Sequence, residues 1–166
     1  MTMPKKHILS ILVDNEPGVL SRIAGLFSGR GYNIESLCVA ETNEPQVSRL
    51  TMVTDGDTLI LEQIKKQLNK LINVIKVSDL TDQDFVEREL VLVKVTAKTE
   101  NRAEILRIID IFRGQVVDVG LEHYTLSITG DAEKITAILN LLKPFGIREI
   151  ARTGCIAMFR ETKHKS

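Results

Sequence analysis

Residues 7–33 read HILSILVDNEPGVLSRIAGLFSGRGYN, and the change of period inside this stretch decides the fold. Residues 7–14 are apolar, β-branched in part and too few for a helix, which predicts a strand. Pro17 and Gly18 then break the pattern. Beyond them Val19, Leu20, Ile23, Ala24 and Phe27 recur at helical spacing, so an amphipathic helix is predicted over 18–29, ended near Gly29 and Gly31. From 32 to 41 the period falls back to two, as it does again over 47–54. The four residues Asn43-Glu44-Pro45-Gln46 between those runs make a hairpin-length connection.

Working outward, a second helix starts after Asp55-Gly56-Asp57, with Leu61, Ile64, Leu68 and Leu71 on one face, and 74–80 returns to strand. The order is β-α-β-β-α-β. Residues 81–89 (TDQDFVERE) are polar around a single phenylalanine and form the best linker. The order then repeats: a strand over 90–97, a helix over 100–112, a hairpin from 115–121 and 124–129, and a helix over 131–142 stopped by Pro144. A last strand covers 147–159, bent or split at Gly154. The predicted class is α+β, two ferredoxin-like βαββαβ sandwiches in tandem: a first domain over 1–80, a linker over 81–89 and a second domain over 90–166. Such a unit covers one sheet face with helices and leaves the other face and the edges bare, so self-association is expected.

Composition narrows the function. Twenty-two basic residues balance twenty-two acidic ones, and there is no tryptophan and only two tyrosines. Neither a basic field nor aromatic platforms favour nucleic acid. A nucleic-acid-binding regulator would also need a basic helix or a helix-turn-helix, which the pattern lacks. No apolar stretch approaches the ~18 residues that span a bilayer, and no apolar h-region of a signal peptide follows the first lysines, so no membrane partner and no export are expected. Cys38 and Cys155 lie in apolar strand-like runs and read as buried free thiols, which suits the cytoplasm. No nucleophile motif, metal-binding helix or phosphate loop is present, so the chain is read as non-catalytic.

The segment that could carry binding chemistry is Asp14-Asn15-Glu16-Pro17-Gly18-Val19-Leu20, where strand gives way to helix. Free N–H groups at a helix start favour a carboxylate. Gly18 lets a ligand approach the backbone, and Pro17 sets the entry angle. Asn15 could cap the helix, or accept from an ammonium while donating to a carboxylate. Local physics alone leaves both a capped helix and an amino-acid site open.

The D-x-x-G loop and the element order around it resemble an ACT domain, an amino-acid-sensing module. Ser21-Arg22-Ile23, Gly25-Leu26-Phe27 and Arg30-Gly31-Tyr32-Asn33-Ile34-Glu35-Ser36-Leu37 are similar to the small regulatory subunit of acetolactate (acetohydroxyacid) synthase. In the second half 87–94 (ERELVLVK), 111–119 (IFRGQVVDV) and Arg152-Thr153-Gly154 carry the same resemblance. The resemblance implies a homodimer that binds a thiamine-diphosphate-dependent large catalytic subunit, raises its activity and confers feedback inhibition by valine in branched-chain amino-acid biosynthesis. It implies no cofactor on this chain, with thiamine diphosphate, magnesium and FAD on the catalytic partner. It also places the effector between two modules, with Asn15, Gly18, Val19 and Leu20 from one and Asn33 and Ile34 from the other.

The remaining constellations are weaker. Gly29-x-Gly31 follows a helix and lacks a third glycine, so it reads as a helix end. Asp79, Asp82 and Asp84 read as solvated linker acids rather than a cation site. His7, His123 and His164 have no ligand spacing, and Arg160, Lys163, His164 and Lys165 read as a disordered basic tail.

Overall fold

A computed structural model describes residues 5–161. The tail residues Lys163, His164 and Lys165, and the first four residues, lie outside them. Contacts divide the chain into two units, Met1–Val86 with Cys155–Ser166, and Glu87–Gly154.

The first unit runs β1 (Lys5–Asp14), α1 (Val19–Ser28), β2 (Asn33–Glu41), β3 (Val47–Gly56), α2 (Thr58–Leu68) and β4 (Val74–Asp79). Its antiparallel sheet has the order β2-β3-β1-β4. Alternation along β1 sends Leu9, Ile11 and Val13 to one face, and β3 adds Leu50 and Met52. Onto that face α1 lays Val19, Ile23 and Phe27, one turn apart, and α2 lays Leu61, Ile64 and Leu68. Each such side chain taken from water contributes about 1.5–3 kcal/mol. The Asp57 side chain caps α2 by accepting from Leu59 N at 2.7 Å. Tyr32 meets Phe27 edge-on at 6.4 Å and donates its hydroxyl to the Asp57 carbonyl.

The second unit repeats the plan with β5 (Phe85–Thr96), α3 (Arg102–Ile111), β6 (Gln115–Val119), β7 (His123–Gly130), α4 (Ala132–Leu142) and β8 (Ile147–Arg152), in the order β6-β7-β5-β8. Val91, Val93 and Val95 alternate into a core shared with Leu126, Ile128, Ile105, Ile109, Ile135, Ile138 and Leu142. Asp131 caps α4 through Lys134 N at 2.8 Å. Glu89, almost buried at the start of the inward row, takes both oxygens to the Arg152 guanidinium at 2.5 and 3.0 Å. A carboxylate so enclosed needs this two-pronged partner. The α+β tandem expected from the periodicity is therefore the observed architecture.

The polar stretch 81–89 differs from its expected role. It is strand from Phe85 onward, because β9 (Ile156–Phe159) pairs with β5, and Arg160 holds Asp84 through both a backbone bond and a 3.0 Å ion pair. The break between β8 and β9 falls at 153–155, around Gly154. The two thiols also differ from expectation: Cys38 and Cys155 are half-buried. Cys38 is on an edge strand and Cys155 in that break, so neither is enclosed by two layers. The linker acids are ion-paired separately, Asp82 with Lys5 at 2.9 Å and Asp79 with Lys65 at 3.0 Å. Among the described residues no helix is long and apolar enough to cross a membrane.

Asp79 ties β4 to α2. Burial opposes its ionisation, but bonds from the Thr81 hydroxyl at 2.5 Å, from Lys65, and from the Thr81 amide at 3.0 Å prevail and hold its carboxyl below the usual range. Between the folded and the unfolded pKa the native state binds fewer protons, so this contribution is complete above the ordinary carboxylate value of about 3.9 and is lost as pH falls through the folded one. Asp79→Asn should lower the stability of the first unit at pH 7 by about 1–2 kcal/mol and flatten its acid limb below about pH 4, read by circular dichroism across pH. An unchanged acid limb would show that the pair contributes nothing.

Candidate functional site

The loop between β1 and α1 is held at both ends by its own backbone. Asp14 N donates to Asn73 O at 2.8 Å, Asn15 N to Gln46 O at 2.8 Å, and Glu16 N to Asp14 O at 2.9 Å. The chain then turns into α1 through Gly18, whose φ of 84° is left-handed. A Cβ there would meet nothing within 4 Å, so the space above the turn is open. Only a residue without a side chain takes this conformation at little cost.

Gly18 is the residue at the helix cap, and no side chain caps α1. This corrects the expectation that Asn15 could be the cap. Its amide instead donates to Glu41 Oε1 at 2.9 Å and to Pro45 O at 3.2 Å, which joins the loop to the β2–β3 hairpin. The reason is distance along the chain: three residues separate Asn15 from the helix start, and the Pro17-Gly18 turn points the first amides elsewhere. Val19 N reaches Glu16 O only at 3.5 Å, and among the described residues no backbone acceptor serves the amides of Leu20 and Ser21. The helix start thus keeps unpaired donors, as an anion-accepting turn requires.

Val19 and Leu20 divide. Val19 is buried in the unit's own core, whereas Leu20 is 42 % exposed and is the apolar side chain free to meet a ligand. Asn33 opens β2 opposite Asp55, and its carbonyl accepts from the Thr54 hydroxyl at 2.6 Å. Its side chain is exposed and hydrogen-bonds to no described residue. Ile34 is half-buried against the core. Asn15 stands beside Glu41, the last residue of β2, while Asn33 is the first. At about 3.3 Å per residue the two asparagines sit roughly 25 Å apart, at opposite ends of one strand. One chain brings Asn15, Gly18 and Leu20 together and keeps Asn33 and Ile34 apart from them.

In the second unit a side chain braces the equivalent connection. Arg102, the first residue of α3, donates Nε to Ala97 O at 3.0 Å and Nη2 to Leu121 O, with its guanidinium 5.8 Å from the centre of the Tyr124 ring.

Sequence reasoning passed over Asn73, which contacts the loop through both backbone and side chain. Its position after α2 carries no local signal, since an asparagine there is an ordinary turn residue.

A βαββαβ unit with an open glycine turn between its first strand and first helix, followed by a second unit of the same plan, defines a tandem ACT-type protein. Residues 9–76 match the family model described as an AHAS small subunit-like ACT domain, and residues 88–161 match that for the small subunit of acetolactate synthase. The chain is 56% identical over 162 residues to the acetolactate synthase small subunit of Aquifex aeolicus, covering 97% of this chain and 84% of that one. It is 48% identical over 154 residues to the small subunit of Mycolicibacterium smegmatis, covering 93% and 91%. The crystal structure of the Thermotoga maritima small subunit superposes with a TM-score of 0.86 at 42% identity, covering 95% of this chain and 99% of that one. The chain belongs to the acetolactate synthase small-subunit family.

Because nothing lies within reach of a Cβ at Gly18, Gly18→Ala should cost only the backbone strain, about 1 kcal/mol, in urea unfolding of the first unit, with an unchanged m-value. A loss above about 3 kcal/mol would mean that the turn is packed rather than open.

Proposed function

We propose that this chain is the non-catalytic regulatory subunit of acetolactate synthase, a homodimer that binds the large catalytic subunit, raises its turnover and makes it sensitive to valine. Similarity to small subunits of that enzyme, 56% and 42% identical over 97% and 95% of this chain, carries the reading. The thiamine diphosphate, magnesium and FAD then belong to the catalytic partner and none to this chain, and the assembly works in the cytoplasm. The residues whose protonation is shifted support a structural rather than a catalytic use of charge. Tyr32, Lys65, Asp79 and Arg152 all bond within the fold: Lys65 bridges α2 and β4, and Arg152 neutralises Glu89.

The dimer follows from the sheet. β2 is an edge strand of nine residues without proline, so its outer backbone groups await a partner. Pairing two copies of β2 antiparallel about a two-fold axis sets the start of one against the end of the other. The loop beside Glu41 then faces the partner's Asn33, and two identical sites form from parts that one chain holds about 25 Å apart. In each, the amides at the start of α1 take the effector's carboxylate and the Asn15 carbonyl takes its ammonium. The amide of the partner's Asn33 closes over both groups, and Leu20 with the partner's Ile34 lines the side-chain pocket. Val19 shapes the turn from beneath. A pocket of this kind separates valine from a homologue one methylene larger by only about 1–3 kcal/mol.

Carboligation assays with thiamine diphosphate and magnesium test the assignment. The isolated chain should make no acetolactate, and adding it to the catalytic subunit should raise turnover. Product from the chain alone would overturn the assignment.

Two variants test the site. Asn33→Ala should weaken valine binding about ten- to hundredfold, the worth of one bond to a charged group. Gly18→Asp should abolish it by adding both left-handed strain and a like charge. Activation of the catalytic subunit should survive in both. Unchanged valine inhibition in both would place the site elsewhere.

A further inference from the structure

Asn73 stands half-buried in the turn between α2 and β4, far in sequence from the loop yet bonded to two of its residues and to α1. Its backbone carbonyl accepts from Asp14 N at 2.8 Å. Its side-chain Oδ1 accepts from Arg22 Nη1 of α1 at 2.7 Å. Its Nδ2 donates to Glu16 Oε2 at 3.1 Å and, at greater length, to Asp14 Oδ2 at 3.4 Å. We propose that Asn73 is a positioning residue of the effector loop, holding residues 14–18 in the shape that keeps the first amides of α1 open. The proposal rests on the reading of this loop as the effector site.

The chemistry asks for an amide at this position. Asp14 and Glu16 are two carboxylates flanking a turn that is to receive a third from the ligand. Left loose, they would repel it or compete for its donors. Asn73 offers a donor to both, while its oxygen fixes the Arg22 guanidinium, whose charge offsets theirs. A side chain with only donors or only acceptors serves one side of this bridge. An aspartate would keep Arg22 but lose the donor and crowd a third carboxylate against the first two.

The experiment uses the full chain, with valine as the probe and the catalytic subunit as the second readout. Asn73→Ala removes the side-chain bridge and leaves the backbone bond to Asp14 in place. Without ligand, its amide NMR spectrum should shift for residues 14–22 and stay fixed for β5 to β8. Calorimetry should show valine affinity about tenfold weaker, with the thermal midpoint and the activation of the catalytic subunit unchanged. Asn73→Asp should bind more weakly still. Arg22→Ala combined with Asn73→Ala should lose less than the sum of the two single losses, because the Arg22–Asn73 bond is counted in both.

Unmoved loop amides, or valine affinity equal to wild type, would overturn the proposal. So would affinity, thermal midpoint and activation falling together, the mark of a merely structural residue. If the wild-type chain takes up no valine while the loop amides of Asn73→Ala still shift, the effector reading fails and the positioning role stands.

Discussion

The first unit depends on one backbone conformation, the left-handed turn at Gly18. A strand that must fold back as a helix on the same sheet face has to reverse direction within a few residues, and here it does so through a residue at φ 84°. That single dihedral keeps the amides at the start of α1 from being capped and leaves the space above them empty. It also frees Asn15 to brace the neighbouring hairpin through Glu41 and Pro45. Val19, immediately after the turn, drops into the core and anchors the helix. A side chain at Gly18 would strain the turn, and the whole arrangement follows from avoiding that strain.

The two units share a topology and differ in how each closes this junction. In the first, glycine leaves open space beside the helix start. In the second, Arg102 reaches back across the junction to the Ala97 and Leu121 carbonyls and covers Tyr124. Two of the guanidinium's five N–H donors are thereby engaged within the unit. The two units thus close this junction with different residue chemistry on one architecture. The carboxylate of Glu89, locked by Arg152, shows the second unit using charge to secure its sheet.

Sheet geometry also explains why a shared site suits this fold. Helices cover one face only, so a four-stranded unit finishes with two unsatisfied edges, and the edge at β2 runs nine residues with one register shift between Ile34 and Ser36. On the proposed reading its two ends carry complementary halves of one site, which only a two-fold axis can unite. Sensing and assembly then become one event: an effector held across the axis stabilises the dimer that presents it, by the same linkage that lets any ligand favour the state it binds.

Much of this was legible in the residues themselves. The switch from period two to helical spacing, with Gly and Pro at each change, gave both βαββαβ units and nearly all their element limits, because burial against a single sheet face imposes that alternation locally. The glycine turn was legible for the same reason, since Pro17-Gly18 leaves few other conformations. What escaped was set by partners distant in sequence. The polar stretch after Leu80 became strand at Phe85 because β9 came to pair with β5. Cys38 and Cys155 proved half-exposed because one lies on a sheet edge and the other in a break. Asn15 turned to the hairpin and Asn73 to the loop through contacts 26 to 59 residues apart. Periodicity records which face a residue turns inward, so the sequence by itself determined the elements and their layers. It does not record which side chain another segment brings alongside, so only the tertiary structure decided the hydrogen bonds that shape the site.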